Sequence, residues 1–179
     1  PKDEDVVIEL DGDDWLTKNT VLKILNNVYT DPNIWLTYGS WIKHLSGVRD
    51  KLGAPIPTNY AYSKGPWIFS QLRTSKFFLW KNLREKDLIQ PSTKRYYMRA
   101  CDQAYFRPLA QMAGRQHAKW IEEILYTYNT DPKRIQFLYG NDPIDSSHKE
   151  LMRRTWQYKE MTKAELLKNN YLKGFKFLM

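Results

Sequence analysis

The 179-residue chain lacks most of the features by which protein classes are recognised from sequence. Its single cysteine, Cys101, cannot form an internal disulfide, which favours a reducing compartment and so the cytoplasm or the cytosolic face of a membrane. No apolar run approaches the roughly 20 residues of a membrane-spanning helix. The glycine-rich phosphate loop, the dinucleotide-binding glycine pattern, zinc-ligand spacing and the nucleophile elbow are also missing. These absences exclude P-loop NTPases, typical dinucleotide enzymes, zinc fingers and α/β-hydrolases.

The composition favours a folded basic protein with an acidic beginning. The chain is 42% hydrophobic and 15% aromatic, which is enough apolar material for a packed core. Residues 1–14 hold seven acidic side chains and one basic one, whereas the whole chain carries a net charge of +8. This distribution suits a bound cation beside a bound anion, and it equally suits a solvated acidic end on a basic domain. We expect a single domain over residues 1–179 and an anionic partner.

The apolar spacing near the start of the chain predicts an α/β unit. Val6–Leu10 is a β-branched run typical of a buried strand, and Asp11–Asp14 is a turn sequence. Helical spacing over Thr17–Tyr29 is followed by a second strand over Ile34–Tyr38, and this order predicts a parallel strand pair. Later patterns predict a helix after Arg73-Thr74, a helix over 100–112, one strand over 118–128, and two C-terminal helices that begin at capping boxes over 147–150 and 162–165.

The acidic turn is the first candidate site. Asp11, Asp13 and Asp14 follow a strand at the place where ligands bind in α/β sheets. Neighbouring carboxylates repel one another unless a cation lies among them, and Mg²⁺ and Mn²⁺ prefer such oxygen ligands. An ordinary acidic turn is the alternative. His148 lies in a capping box, where it is a helix-start residue or a further metal ligand.

Two further patterns have both a structural and a functional interpretation. Asp102 opens the helix over 100–112, either as a residue favoured by the helix dipole or as a general base. A phosphatase-like hydrolase also has an Asp-x-Asp motif after a hydrophobic strand. It would in addition need a pair of acidic residues after a later strand, and this sequence has no convincing pair after residue 14. Basic residues interleaved with aromatic ones suggest the alternative function, a nucleic-acid-binding or scaffold module, although core packing and a solvated basic face explain them better. These residues are Arg73, Lys76, Lys81, Arg84, Arg153, Arg154 and Lys159 with Trp80, Tyr96, Tyr97 and Trp156.

The order of several segments resembles one known family. Residues 6–16 look like the strand and Asp-x-Asp motif of GT-A fold glycosyltransferases of the family 2 type. Residues 35–39, 72–74, 102–114 and 124–129 are similar to later segments of that family, in the same order. The resemblance implies an α/β fold, namely the C-terminal half of a Rossmann-like GT-A fold, with a mixed sheet flanked by helices.

The resemblance also implies a reaction and assigns residues to it. The donor would be a nucleotide-diphosphate sugar bound through Mn²⁺ or Mg²⁺, and the sugar would pass with inversion to a hydroxyl of a carbohydrate, lipid or protein acceptor. Only ten residues precede Asp11, so we expect an acceptor-side part whose nucleotide-binding half lies elsewhere, for example on a partner chain. The implied roles are catalytic base for Asp102; metal ligands for Asp11, Asp13 and His148; and substrate binding for Asp14, Trp15, Arg73 and Gln103.

Overall fold

The computed structural model describes residues 1–50, 52–97, 100–131, 151 and 158–169. These residues form a mixed α/β structure with two sheets, which confirms the predicted class in its coarse form. Among them, no helix is long and apolar enough to cross a bilayer. The elements in chain order are β1 (Val6–Glu9), β2 (Trp15–Leu16), α1 (Val21–Val28), β3 (Leu36–Gly39), β4 (Trp41–Lys43), β5 (Ser70–Lys76), α2 (Phe77–Trp80), α3 (Glu85–Leu88), α4 (Cys101–Ala113), a 3₁₀ turn (Arg115–His117), β6 (Ala118–Trp120), β7 (Tyr126–Tyr128) and α5 (Lys163–Lys168).

The larger sheet has the strand order β1-β5-β3-β6 within the described residues. Strand β5 runs antiparallel to both β1 and β3, and β3 pairs in parallel with β6. The predicted direct pairing of β1 with β3 is therefore wrong, because β5 lies between them. Since both strands are antiparallel to β5, they still run in one direction, and their carboxyl ends meet the same edge of the sheet.

Strand β5 is the central element that the hydrophobic pattern does not predict. All seven of its residues are buried, yet Leu72 is the only apolar one. Its side chains alternate between the two faces of the sheet. On one face, Thr74 Oγ1 lies 2.8 Å from the hydroxyl of Tyr29 and 2.7 Å from Thr37 Oγ1. Hydrogen bonds therefore take the place of apolar contacts along this strand.

The predicted single strand over 118–128 is wrong, because it divides into two strands of different sheets. Strand β6 extends the larger sheet, whereas β7 forms the middle of a three-stranded sheet with the order β2-β7-β4. Strand β7 is antiparallel to β2 and parallel to β4. The exposed residues Glu122 and Glu123 lie at the break, and the buried Ile121 and Leu125 on either side pack with α1.

Two apolar clusters cover the faces of the larger sheet. One packs α1, through Val21 and Leu25, against Leu72 and the first residues of the smaller sheet. The other packs α2 and α4 against β3. Strand β1 is not the buried strand that was expected, because it lies at the edge of the described sheet and leaves Ile8 36% exposed. Helix α1 begins at Val21, one turn later than predicted.

The remaining helix predictions are confirmed where the structure describes the residues concerned. The helices after Arg73-Thr74 and over 100–112 are confirmed as α2 and α4, and α4 ends at Gly114, where φ is +70°. The capping box at Thr162 is confirmed, since its hydroxyl accepts from the N–H of Glu165, whose carboxylate accepts from the N–H of Thr162. The capping box over 147–150 lies outside the described residues.

Candidate functional site

A buried cluster of charged residues lies where β1 ends and α4 begins. Arg73, on β5, donates from Nε to Glu9 Oε2 at 2.7 Å and from Nη1 to Asp102 Oδ2 at 3.2 Å. The side chains of Arg73 and Glu9 are 5% and 10% exposed, whereas that of Asp102 is 30% exposed. Register explains the first contact, because Glu9 and Arg73 face each other across the β1–β5 pair. Asp102 is therefore the member of this cluster that a substrate can reach.

Tyr105 completes the cluster from the next turn of α4. Its hydroxyl donates to Glu9 Oε2 at 2.7 Å, so this oxygen accepts two hydrogen bonds. Burial raises the pKa of Glu9 above its ordinary value, although Arg73 opposes the shift. The carboxylates raise the pKa of Arg73, against the effect of its own burial. The guanidinium is consequently a fixed cation that orients Asp102.

The acidic turn lies beside this cluster and is anchored on the smaller sheet. Asp14 Oδ2 accepts from the Tyr126 hydroxyl at 2.6 Å, and Oδ1 accepts from the N–H of Asn129 at 2.8 Å. The amide of Asn129 also donates to the Asp13 carbonyl at 3.2 Å, and the N–H of Asp14 closes the turn on the Asp11 carbonyl at 3.0 Å. Burial raises the pKa of Asp14. Asp14 therefore holds the turn in place with both carboxylate oxygens.

Asp11 and the base candidate Asp102 both lie close to Glu9. Asp11 follows Glu9 by two residues, and Asp102 is held to Glu9 through Arg73. The structure therefore brings Asp11 and Asp102 to one edge of the sheet.

The carboxylate oxygens of the acidic turn suit a hard divalent cation, provided that other molecules supply the rest of its ligands. Asp11 is exposed, and its carboxylate accepts no hydrogen bond from any described residue; Asp13 is half-buried. Carboxylate oxygens are the donors that Mg²⁺ and Mn²⁺ prefer. Among the described residues, no group of three or more His, Cys, Asp and Glu side chains is arranged to hold a metal. A cation bound here would thus complete its shell with water or phosphate oxygens, as Mg²⁺ commonly does.

The other predicted site residues have structural contacts. Gln103 is 7% exposed, and its amide oxygen accepts from both Nε and Nη2 of Arg107 at 3.1 Å. Trp15 is 37% exposed and packs edge-on against His44, with ring centroids 4.6 Å apart. The guanidinium of Arg73 is buried in its ion pairs with Glu9 and Asp102, so Arg73 would not contact a substrate directly and would act on it only by orienting Asp102. His148 lies outside the described residues.

Sequence reasoning missed four residues that build the site: Glu9, Tyr105, Tyr126 and Asn129. Glu9 lies on the same face of β1 as Val7, because residues two apart on a strand share a face. An acid at an inward position of a strand is a signal for a buried partner. The other three lie inside segments whose similarity to the family was noted, but nothing in their spacing indicated which acids they contact.

Arg107 connects α4 to the segment over residues 60–67, which precedes β5 and forms no helix or strand. Its Nη1 donates to the Tyr62 carbonyl at 2.7 Å and Nη2 to the Gly65 carbonyl at 3.1 Å. The guanidinium of Arg107 lies 5.2 Å from the ring centroid of Trp67, and that of Arg73 lies 5.9 Å from the same ring. This segment is consequently packed against α4.

Comparison with known proteins found no matching family model, curated protein or solved structure.

Proposed function

We propose that the chain is the acceptor-side part of a metal-dependent, inverting glycosyltransferase. The observation that carries the proposal is the placement of Asp102: its carboxylate is partly exposed and is oriented by Arg73, which also pairs with Glu9, two residues before the acidic turn. A carboxylate beside a diphosphate-binding turn is the pair of groups that glycosyl transfer requires. The order of segments that resembles GT-A fold glycosyltransferases supports the same assignment.

In the proposed reaction Asp102 is the general base. Arg73 engages Oδ2, and Oδ1 accepts no hydrogen bond from the described residues, so Oδ1 is free to take the proton of an acceptor hydroxyl. As that O–H bond breaks, the oxygen forms a bond to the anomeric carbon of the donor. The bond from that carbon to the diphosphate oxygen breaks on the opposite face, and the electron pair leaves with the diphosphate.

The acidic turn positions the leaving group in this scheme. Asp11 and Asp13 would hold a Mn²⁺ or Mg²⁺ ion, which when bound neutralises charge on the departing diphosphate. Asp14 keeps the turn in place through Tyr126 and Asn129. Arg73 fixes the base and remains charged throughout, because two acids flank it.

The nucleic-acid-binding alternative receives less support from the described residues. Four of the basic residues on which it depends are paired with acids: Arg73 with Glu9 and Asp102, Lys76 with Glu4, Lys81 with Asp3, and Arg84 with Asp87. Of the aromatic partners, Trp80 donates to Ser75 Oγ at 2.8 Å and Tyr97 is buried, whereas Tyr96 is 48% exposed. Arg153, Arg154 and Trp156 lie outside the described residues. A stacking surface needs exposed rings beside unpaired cations.

Metal binding tests the role of the acidic turn. A Mn²⁺ titration followed by electron paramagnetic resonance should give affinities at least about tenfold weaker for Asp13→Asn and Asp11→Asn, as expected when a site loses a ligand. Glu122→Gln is the matched control, because it removes one exposed carboxylate on the turn between β6 and β7. Equal affinities in all four proteins would contradict the proposed metal site.

Sugar transfer tests the role of Asp102. Release of nucleoside diphosphate from a panel of UDP- and GDP-sugars is measured with Mn²⁺ and candidate acceptors, in a protein that includes the nucleotide-binding half together with this chain. Asp102→Asn keeps the size of the side chain but cannot take a proton, so we expect a loss of at least about a hundredfold in transfer, with donor binding unchanged. Full transfer by Asp102→Asn would remove this residue as the base.

A further inference from the structure

A second concave surface lies at the opposite edge of the larger sheet, along β6. This cleft has a volume of about 480 Å³, and its lining includes Tyr38, Ile56, Arg115, Gln116, Lys119 and Trp120. Among the described strands, β6 pairs only with β3, and its other hydrogen-bonding edge has no described strand beside it. All three residues of β6 line the cleft. None of the residues in the proposed transfer site lines the cleft. A ligand bound here would not contact those residues.

The apolar wall of the cleft is held in place by two hydrogen bonds. The Tyr38 hydroxyl donates to the Ala54 carbonyl at 2.8 Å, and Arg115 Nε donates to the Ile56 carbonyl at 3.0 Å. These bonds fix residues 54–56 against the sheet from both sides. Ile56 is only 6% exposed, and Trp120 is half-buried. The wall is consequently formed before any ligand binds, which lowers the entropic cost of binding.

The cleft is positively charged. Arg115 and Lys119 both line it and are exposed, and neither is in an ion pair with a described acid. A third cation, Arg49, lies with its guanidinium 6.0 Å from the ring centroid of Trp120. One acid, Glu160, accepts from the side-chain amide of Gln116, which lines the cleft. The described lining itself contains no acidic side chain.

We propose that this cleft binds a small ligand that carries an anionic group on a ring with a flat apolar face. The ring would lie on the wall formed by Ile56 and Trp120, and its carboxylate or phosphate would accept hydrogen bonds from Arg115 and Lys119. The volume lies within the range of small-molecule pockets. An acidic sugar and a nucleoside monophosphate both have this chemistry, and they are the two sources that the experiment distinguishes.

The experiment titrates the ¹⁵N-labelled chain with three probes: a glucuronate-containing disaccharide, uridine monophosphate and the neutral disaccharide cellobiose. We expect one or both anionic probes to bind at least about tenfold more tightly than cellobiose and to shift the Lys119 amide and the Trp120 indole resonances. Binding of the disaccharide alone identifies an acidic sugar, binding of the nucleotide alone identifies a nucleotide, and binding of both identifies recognition of the anion and ring.

A matched pair of variants separates the cleft from the general positive charge of the chain. Lys119→Glu reverses a charge in the cleft and should weaken the anionic probe at least about tenfold. Lys23→Glu makes the same change on an exposed position of α1 and should weaken it at most about twofold. Equal weakening by both variants, or no binding of either anionic probe at about 10 mM, would overturn the proposal.

Discussion

The buried ion pair between Glu9 and Arg73 gives a prediction that depends directly on the geometry of the site. Arg73→Met keeps an unbranched apolar stem but removes the cation between Glu9 and Asp102. Glu9 is 10% exposed, so its carboxylate would be left in a site that water cannot stabilise. Removing one partner of a buried pair costs about 3–5 kcal/mol, and we expect the free energy of unfolding to fall by this amount.

A double-mutant cycle isolates the pair itself. Glu9→Gln keeps the size of the side chain and an oxygen that accepts from Arg73 or Tyr105, so it should cost only about 1–2 kcal/mol. In Glu9→Gln/Arg73→Met the buried charge and its partner are both gone. The double variant should therefore lose less stability than the sum of the single variants, with a coupling of about 1–3 kcal/mol.

Urea unfolding followed by circular dichroism measures these values, and its pH dependence adds an independent check. Burial raises the pKa of Glu9, so the folded protein holds a proton on Glu9 more tightly than the unfolded chain does. The stabilisation that comes from this proton is fully present below the ordinary glutamate pKa of 4.5, and it is lost as the pH rises through the raised pKa. Arg73 opposes that shift, so Arg73→Met raises the pKa further. The stability deficit of Arg73→Met should consequently shrink as the pH is lowered from about 7 to about 5.5.

The control for this cycle is the exposed pair Lys18–Glu123, whose side chains are 40% and 48% exposed. Lys18→Met should cost less than about 1 kcal/mol, as is usual for surface ion pairs. Strictly additive costs in the Glu9/Arg73 cycle, or a cost of Arg73→Met as small as that of Lys18→Met, would refute the reasoning.

Two further predictions use the same unfolding assay. Asp14→Ala removes the acceptor of two hydrogen bonds, from Tyr126 and Asn129, and should cost about 2–3 kcal/mol; a cost below about 1 kcal/mol would mean that Asp14 does not anchor the turn. Thr162→Ala breaks the capping box of α5 and should cost about 1 kcal/mol, whereas Thr162→Ser should keep the cap and the stability. Equal stability of these two Thr162 variants would show that the cap contributes nothing.

The elements that the sequence predicts well are those with a strong local signal. Strand β1 has a β-branched run followed by a turn, α4 has helical spacing that ends at a glycine, and the cap of α5 has the capping-box spacing. In each case the residues that determine the element lie within a few positions of one another. Local patterns do not determine which strands pair, so β1 and β3 could be predicted as strands but not as neighbours of β5.

The acids of the candidate site were identifiable because their segments have recognisable spacing, but their partners were not. Asp102 and Asp11 were proposed from the sequence, whereas Glu9 was counted only as part of a strand. Its partner Arg73 is 64 residues away along the chain. A contact of that separation depends on the strand order, and the strand order was not predictable from hydrophobic periodicity.

The failure to predict β5 has a physical cause that bears on the site. A central strand with both faces covered normally reads as a continuous apolar run, and β5 reads Ser-Gln-Leu-Arg-Thr-Ser-Lys. Polar residues in such a place lower the stability of the core unless each has a partner, and here Arg73 and Thr74 both have partners on the neighbouring strands. Sequences tend to break local folding rules where function requires it. Arg73 is one of the two charged residues of β5, and it holds Asp102, the base of the proposed reaction, so the polarity of β5 supports the proposed function.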